Sequence, residues 1–283
     1  MYTLENSQSN SLNNHSIKVL MYHKLVEDEK LAELHWTNLS VEQFHKHLIL
    51  LDRWGFTPIT FKDYLLYSNG DINLPKKPVI ITFDDGYVEV YKYAFPILKE
   101  FGWNAVAFVL GDRKIKTNLW DQNLDIEVSS LLTNDQILKM HEAGFEIGSH
   151  SLTHARLNSV PLNTAFLEIN NSKINLQSLL NSEVISFSYP YGALNSTIKM
   201  MVYNADYKLA CGVFTGPPKF GEDKFDIRRI TITNTTSSFA FALKILTPYE
   251  YYEWVGSKTS QSIANTTRKY SVKKTSLPNA TIS

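Results

Sequence analysis

Residues 79–91, VIITFDDGYVEVY, run from an unbroken apolar stretch straight into two aspartates and a glycine. From Val79 to Phe83 the stretch has the length and β-branched content of a strand covered on both faces. A carboxylate at the end of such a strand costs free energy unless it is solvated, paired or bound to a cation. Asp-Gly is also common turn chemistry, so Asp84 and Asp85 alone leave a plain strand-ending turn open. The surrounding chain decides between the two.

Seven short runs read as strands: residues 17–22 (IKVLMY), 78–83 (PVIITF), 104–110 (NAVAFVL), 145–149 (FEIGS), 184–189 (VISFSY), 208–214 (KLACGVF) and 226–232 (DIRRITI). Helix signatures fall between them. Ser40 to Gln43 and Thr133 to Gln136 both spell capping boxes, the second opening a helix that Gly144 closes. Residues 88–102 and 161–180 are patterned as helices, with Pro96 placed to kink the first. Strands alternating with helices predict βαβ units, hence an α/β protein with a parallel sheet or barrel. No repeat or linker is visible. A single domain is therefore expected over residues 16–256, with polar, disordered tails at 1–15 and 257–283.

Composition excludes several functions. The 283 residues carry 28 Lys plus Arg against 28 Asp plus Glu, so no basic field exists to attract nucleic acid or anionic lipid. Cys211 is the only cysteine, which rules out an intrachain disulfide and a thiolate metal cluster. The sequence shows neither a signal-peptide pattern nor a transmembrane run, which leads to the expectation of a cytoplasmic protein.

The residues that carry chemistry cluster at strand ends. His150 and His154, in GSHSLTH, are four apart, so a helical turn or a tight loop brings them together. Two imidazoles and one carboxylate make a three-ligand catalytic metal site with an open position. In FSYPYG, Pro190 and Gly192 shape a rigid turn able to aim the Tyr191 N–H at a developing oxyanion. His23 ends the first strand, and Arg228 and Arg229 should point to opposite faces of the last, so that only one faces inward. His23, Asp84, Asp85, His150, His154 and Tyr191 thus all fall just past the C-terminal ends of predicted parallel strands. Barrels and open α/β sheets gather their active sites there.

ITFDDGY, SHSLTH and SYPYG, in this order, resemble the first three motifs of the polysaccharide deacetylases, the NodB-like carbohydrate esterases of family four. Looser similarity extends from about Ile17 to Trp254. The resemblance implies a distorted (β/α) barrel, often seven-stranded, and metal-dependent removal of acetyl groups from N-acetylated sugars. It makes Asp84 the catalytic base, and it makes Asp85, His150 and His154 the ligands of one divalent ion, zinc first, with cobalt or nickel as alternatives. It places the Tyr191 amide in the oxyanion hole. Two departures stand out: Ser188 replaces the arginine that usually begins the third motif, and no histidine follows Tyr191 to supply the late catalytic acid. The arrangement resembles the permuted branch that includes poly-β-1,6-N-acetylglucosamine deacetylases. There His23 takes the place of the acid, and Arg229, or alternatively Arg228, takes that of the arginine. Trp120 and Tyr189 are candidate sugar-stacking surfaces or core residues. The partner implied is an N-acetylated glycan or glycan precursor. The rival readings are a catalytically silent carbohydrate-binding barrel and a metal-dependent hydrolase of small non-sugar amides.

Overall fold

The computed structural model describes residues 17–121, 128–213 and 216–249. The two expected tails, and Trp254, lie outside the described residues. Ten strands run in chain order: β1 (Lys18–Tyr22), β2 (Lys24–Val26), β3 (Asn38–Ser40), β4 (Thr57–Ile59), β5 (Pro78–Phe83), β6 (Val106–Val109), β7 (Glu146–Ser149), β8 (Ser186–Ser188), β9 (Leu209–Cys211) and β10 (Ile230–Thr231). The helices are α1 (Glu29–Glu33), α2 (Val41–Arg53), α3 (Phe61–Asn69), α4 (Phe95–Glu100), α5 (Asn134–Glu142), α6 (Leu162–Leu180), α7 (Ser196–Asn204) and α8 (Ser238–Leu246).

The main sheet is parallel throughout, in the order β10-β1-β5-β6-β7-β8-β9. Seven strands curl into the expected distorted barrel. The ring closes through the chain leading into β10: Ile227 bridges Cys211 at the end of β9, and three residues on Ile230 pairs with Leu20 of β1. The predicted strand at 226–232 is broken for this reason, since one short segment must bend between two partners. The distortion lies beside β5. There β4 pairs with Pro78 to Ile80, so β6 meets only Thr82 and Phe83. Strands β2, β3 and β4 have three residues each, too short for an alternation pattern to reveal them.

Alternation along the strands separates two apolar layers. Val79, Ile81 and Phe83 face outward with Ala107 and Phe187, packing against Phe44, Leu98, Met140, Ile169 and Val202 from the helices. Ile80, Val106, Phe108, Leu209, Cys211 and Ile227 form the inner cluster. Asp84, two residues beyond Thr82 and four beyond Ile80, shares the inward parity.

The helix ends follow the predicted chemistry with one exception. Thr133 and Gln136 make a complete capping box, and Thr60 with Asp63 makes another ahead of α3. At α2, Ser40 accepts the Gln43 N–H (3.2 Å), but the Gln43 side chain bonds Ser238 Oγ instead of closing the box. The helix expected over 88–102 opens as a wide π turn at Val90–Ala94 and becomes α-helical at Phe95. The change falls where Pro96 removes a donor. No helix among the described residues is long and apolar enough to cross a membrane.

At the other end of the barrel from the aspartates, the buried Glu146 accepts the Lys62 N–H (2.8 Å) and the Ser186 hydroxyl (2.5 Å). Burial pushes its pKa up to about 7 from 4.5 despite these bonds. The folded chain keeps a proton that the unfolded chain has released, so stability falls as pH rises through this window. In Glu146→Gln the amide oxygen can still accept from Lys62 while the NH2 donates to Ser186. Urea titrations from pH 4 to 8 should show a wild-type loss on the order of 3 kcal/mol that the variant largely abolishes. Parallel pH profiles would refute this origin.

Candidate active site

Asp84 and Arg229 meet inside the mouth of the barrel, with Asp84 2% and Arg229 0% exposed. The contact is bidentate: Nη1 donates to Oδ1 and Nη2 to Oδ2, both at 2.7 Å. Nε donates to the Gly212 carbonyl (2.8 Å), Nη1 also to Thr82 Oγ1 (3.1 Å) and Nη2 also to Ser188 Oγ (2.9 Å). All five guanidinium N–H donors therefore have acceptors. Ser188 Oγ in turn donates to Asp84 Oδ2 (3.1 Å). The serine in the third motif thus leaves room for an arginine arriving from the strand at the other end of the sequence. Arg228 points away and pairs with Asp226 at 2.7 Å, which resolves the choice between the two arginines. Burial alone would raise the Asp84 pKa, but the charges of Arg229 and His150, with the Arg229 hydrogen bonds, hold it below the usual carboxylate range.

Asp85, the next residue, has φ 71°, which swings its carboxylate away from Asp84. Gly86 follows at φ 72°, and a Cβ there would come within 3.1 Å of Val109. Asp85 Oδ1 lies 3.2 Å from both His150 Nε2 and His154 Nε2. The two imidazoles come from a loop, not a helix. His150 follows β7 directly, and the chain turns back through left-handed Ser151 and His154 (φ 61° and 68°). Helix α6 anchors this loop: buried Glu168 accepts the Thr153 N–H (2.8 Å) and hydroxyl (2.6 Å), while Ser172 donates to the Ser151 carbonyl (2.9 Å).

These three residues fit a divalent cation. His150 Nδ1 lies 2.9 Å from the Ser188 carbonyl, which can only accept, so Nδ1 carries a proton and, in the neutral imidazole, Nε2 presents its lone pair to Asp85. A lone pair 3.2 Å from a carboxylate oxygen is repulsive unless a proton or cation lies between them. The three ligating atoms lie within 4.8 Å of one another. Tetrahedral ligands at about 2.0 Å from a zinc-sized ion are separated by about 3.3 Å, close to the two Asp85 distances. Burial raises the Asp85 pKa, but the hydrogen bonds from His150 and His154 overcome it and hold the carboxyl well below its usual range. The imidazoles shift in opposite senses. Burial lowers both, but His150 faces both aspartates and ends raised, whereas His154 remains lowered.

The remaining predicted residues divide. His23, just past β1, is half-buried, and its buried Nδ1 has no hydrogen-bond partner among the described residues. Tyr191 sits in the Pro190–Gly192 turn at φ 58°, with its ring edge against His154 (4.6 Å) and the Arg156 guanidinium over its face (4.3 Å). Trp120 stacks on His154 at 4.3 Å and 22°, so one indole face supports a ligand. Tyr189 is not a sugar-stacking surface. It is 0% exposed, packs on Phe187 and donates to the Phe225 carbonyl (3.0 Å), because its strand parity turns it toward the helices. Sequence reasoning missed Thr82, whose inward parity with Asp84 was available. It also missed Trp36 and His35, which follow α1 and carried no motif.

Comparison with known proteins identifies what the chain resembles. Residues 71–210 match the family model for polysaccharide deacetylases. YxkH of Bacillus subtilis (strain 168), named as a candidate polysaccharide deacetylase, is 27% identical over 81% of this chain and 76% of its own length. The poly-beta-1,6-N-acetyl-D-glucosamine N-deacetylase of Escherichia coli (strain K12) is 24% identical over 80% of this chain and 38% of its own length. This chain thus spans little more than a third of that relative. The Streptococcus pyogenes deacetylase PplD, solved in complex with acetate, shares the fold. Its TM-score is 0.68 at 24% identity, covering 81% of this chain and 97% of PplD. The chain thus carries a polysaccharide deacetylase domain at residues 71–210, and the relatives and structural neighbours it resembles are deacetylases, hydrolases that act on amide bonds. The matched span contains Asp84, Asp85, His150, His154 and Tyr191, but neither His23 nor Arg229.

Protons and a cation compete for Asp85, His150 and His154, so metal affinity should weaken as pH falls. Equilibrium dialysis against zinc at pH 7.5 should give about one ion per chain in the wild type and none in His150→Ala/His154→Ala. Equal zinc content in both would place the metal elsewhere.

Proposed function

We propose that the protein is a metal-dependent deacetylase that hydrolyses N-acetyl groups on a sugar or polysaccharide. The observation that carries this reading is the placement of a buried, arginine-paired carboxylate, Asp84, directly beside the Asp85, His150 and His154 ligand set. The names of the B. subtilis and E. coli relatives support a glycan as the substrate. Two imidazoles and a carboxylate with a position left open favour zinc, and the same donors suit cobalt or nickel.

A divalent cation bound by these residues supplies a Lewis acid that polarises the amide carbonyl and lowers the pKa of water. The chain's own groups do the rest. Asp84 accepts a proton from the attacking water. Arg229 keeps Asp84 ionised and fixes both its oxygens, which makes it a weaker base but one always ready to accept. The Tyr191 N–H donates to the carbonyl oxygen as it gains negative charge, a contribution of about 3 kcal/mol for one such donor. His23, protonated, gives its proton to the sugar nitrogen as the C–N bond breaks, leaving acetate and a free amine. Trp120 holds the His154 ring in place.

Acetate release from N-acetylglucosamine oligomers, compared with turnover of small cyclic amides, tests the reading. Preference for the amides would favour the small-substrate hydrolase. Asp84→Asn retains an oxygen for Arg229, so it should fold and keep its metal while losing at least about 10³-fold in kcat. Near-normal turnover would remove Asp84 from its role. Arg229→Met removes the charge that depresses the Asp84 pKa. The proton-accepting form then appears only at higher pH, and the acid limb of kcat/KM should move upward. An unmoved limb would assign that limb to another group.

A further inference from the structure

The deacetylase reading leaves one aromatic group at the site without a task. Trp36 is 51% exposed, although burying an indole would stabilise the fold. It packs against His23 at 6.1 Å and 62° and against His35 at 5.8 Å. His23 lies within electrostatic reach of both Asp84 and Asp85. The turn that displays Trp36 is rigidly held. Its carbonyl accepts the Asn234 N–H (3.1 Å), Asn234 Nδ2 donates to the Ala32 carbonyl (3.2 Å), and Asn38 Nδ2 donates to Leu31 (3.1 Å). An indole held this firmly in water next to the reacting groups loses little entropy when a ligand stacks on it.

The other aromatics at the site are already engaged. Trp120 has a face on His154, and the Tyr191 ring lies between His154 and Arg156. Trp36 and Trp120 come from different connections of the barrel. Trp36 belongs to the connection after β1 on one side of β5, and Trp120 to the connection between β6 and β7 on the other.

We infer that Trp36 is a stacking platform for the sugar unit adjacent to the one being deacetylated, so that the protein selects oligomeric over monomeric substrate. This role depends on the deacetylase activity in one respect: His23 must touch the nitrogen of the reacting sugar. An indole packed beside His23 and open to water then lies next to that ring. Pyranose rings present an apolar C–H face, which suits a flat indole as partner.

The test uses zinc-loaded wild type, Trp36→Phe and Trp36→Ala with N-acetylglucosamine and its β-1,6-linked tetramer. KM and kcat are read from acetate release, and Kd from calorimetry. Trp36→Ala should raise KM and Kd for the tetramer at least tenfold and those for the monosaccharide less than threefold, with Trp36→Phe in between. An equal effect on both substrates, or none on the tetramer, would overturn the inference. If the wild type releases no acetate, the deacetylase reading fails, and calorimetry alone decides. Tetramer binding that weakens in Trp36→Ala then supports the platform, and binding that is absent or insensitive to the substitution overturns it.

Discussion

Asp84 and Arg229 are both withdrawn from water, and each is tolerable there only because of the other. Removing one partner of such a pair costs about 3–5 kcal/mol, while replacing both with apolar groups can be neutral. Stability therefore gives little reason to keep the pair. Its value lies in geometry: Arg229, just before β10, is held by Gly212, Thr82 and Ser188 and uses two donors to orient the Asp84 carboxylate at the tip of β5. The arrangement requires a small side chain at Ser188, an inward hydroxyl at Thr82 and a closed ring that brings residue 229 to residue 84. Much of the upper barrel is organised by those requirements.

Backbone strain is concentrated where chemistry is expected. Asp85, His154 and Tyr191 each adopt positive φ, as does Ser151 between the two histidines. Non-glycine residues in this region cost on the order of 1 kcal/mol each and persist only where surrounding bonds enforce them. Glu168 and Ser172 of α6 supply that enforcement for the histidine loop, so the α-helix that follows the loop sets the spacing of two imidazoles. Adjacent aspartates gain separate tasks in the same way, because the left-handed turn at Asp85 sends two neighbouring carboxylates in different directions.

The electrostatics divide the site into two halves. Asp84 is neutralised permanently by a guanidinium that cannot lose its proton, and so stays ionised. Asp85 faces two imidazoles, which can give up their protons to make way for a cation. Two carboxylates one residue apart thus each have their own principal partner, although His150 faces both.

The sequence alone determined the strand-and-helix alternation and the grouping of the histidines and aspartates at strand ends. These are local properties, carried by periodicity, capping residues and short spacings. It also showed that Ser188 stood where an arginine was expected, and offered Arg228 and Arg229 without choosing between them. Only the tertiary structure decided for Arg229, since the choice depends on where the chain before β10 bends between β9 and β1. Burial decided the fate of Tyr189, and contact with His154 gave Trp120 a supporting part. Trp36 had no local signature: its significance comes from a turn held by Asn234, about two hundred residues away in sequence and adjacent only once the barrel has closed.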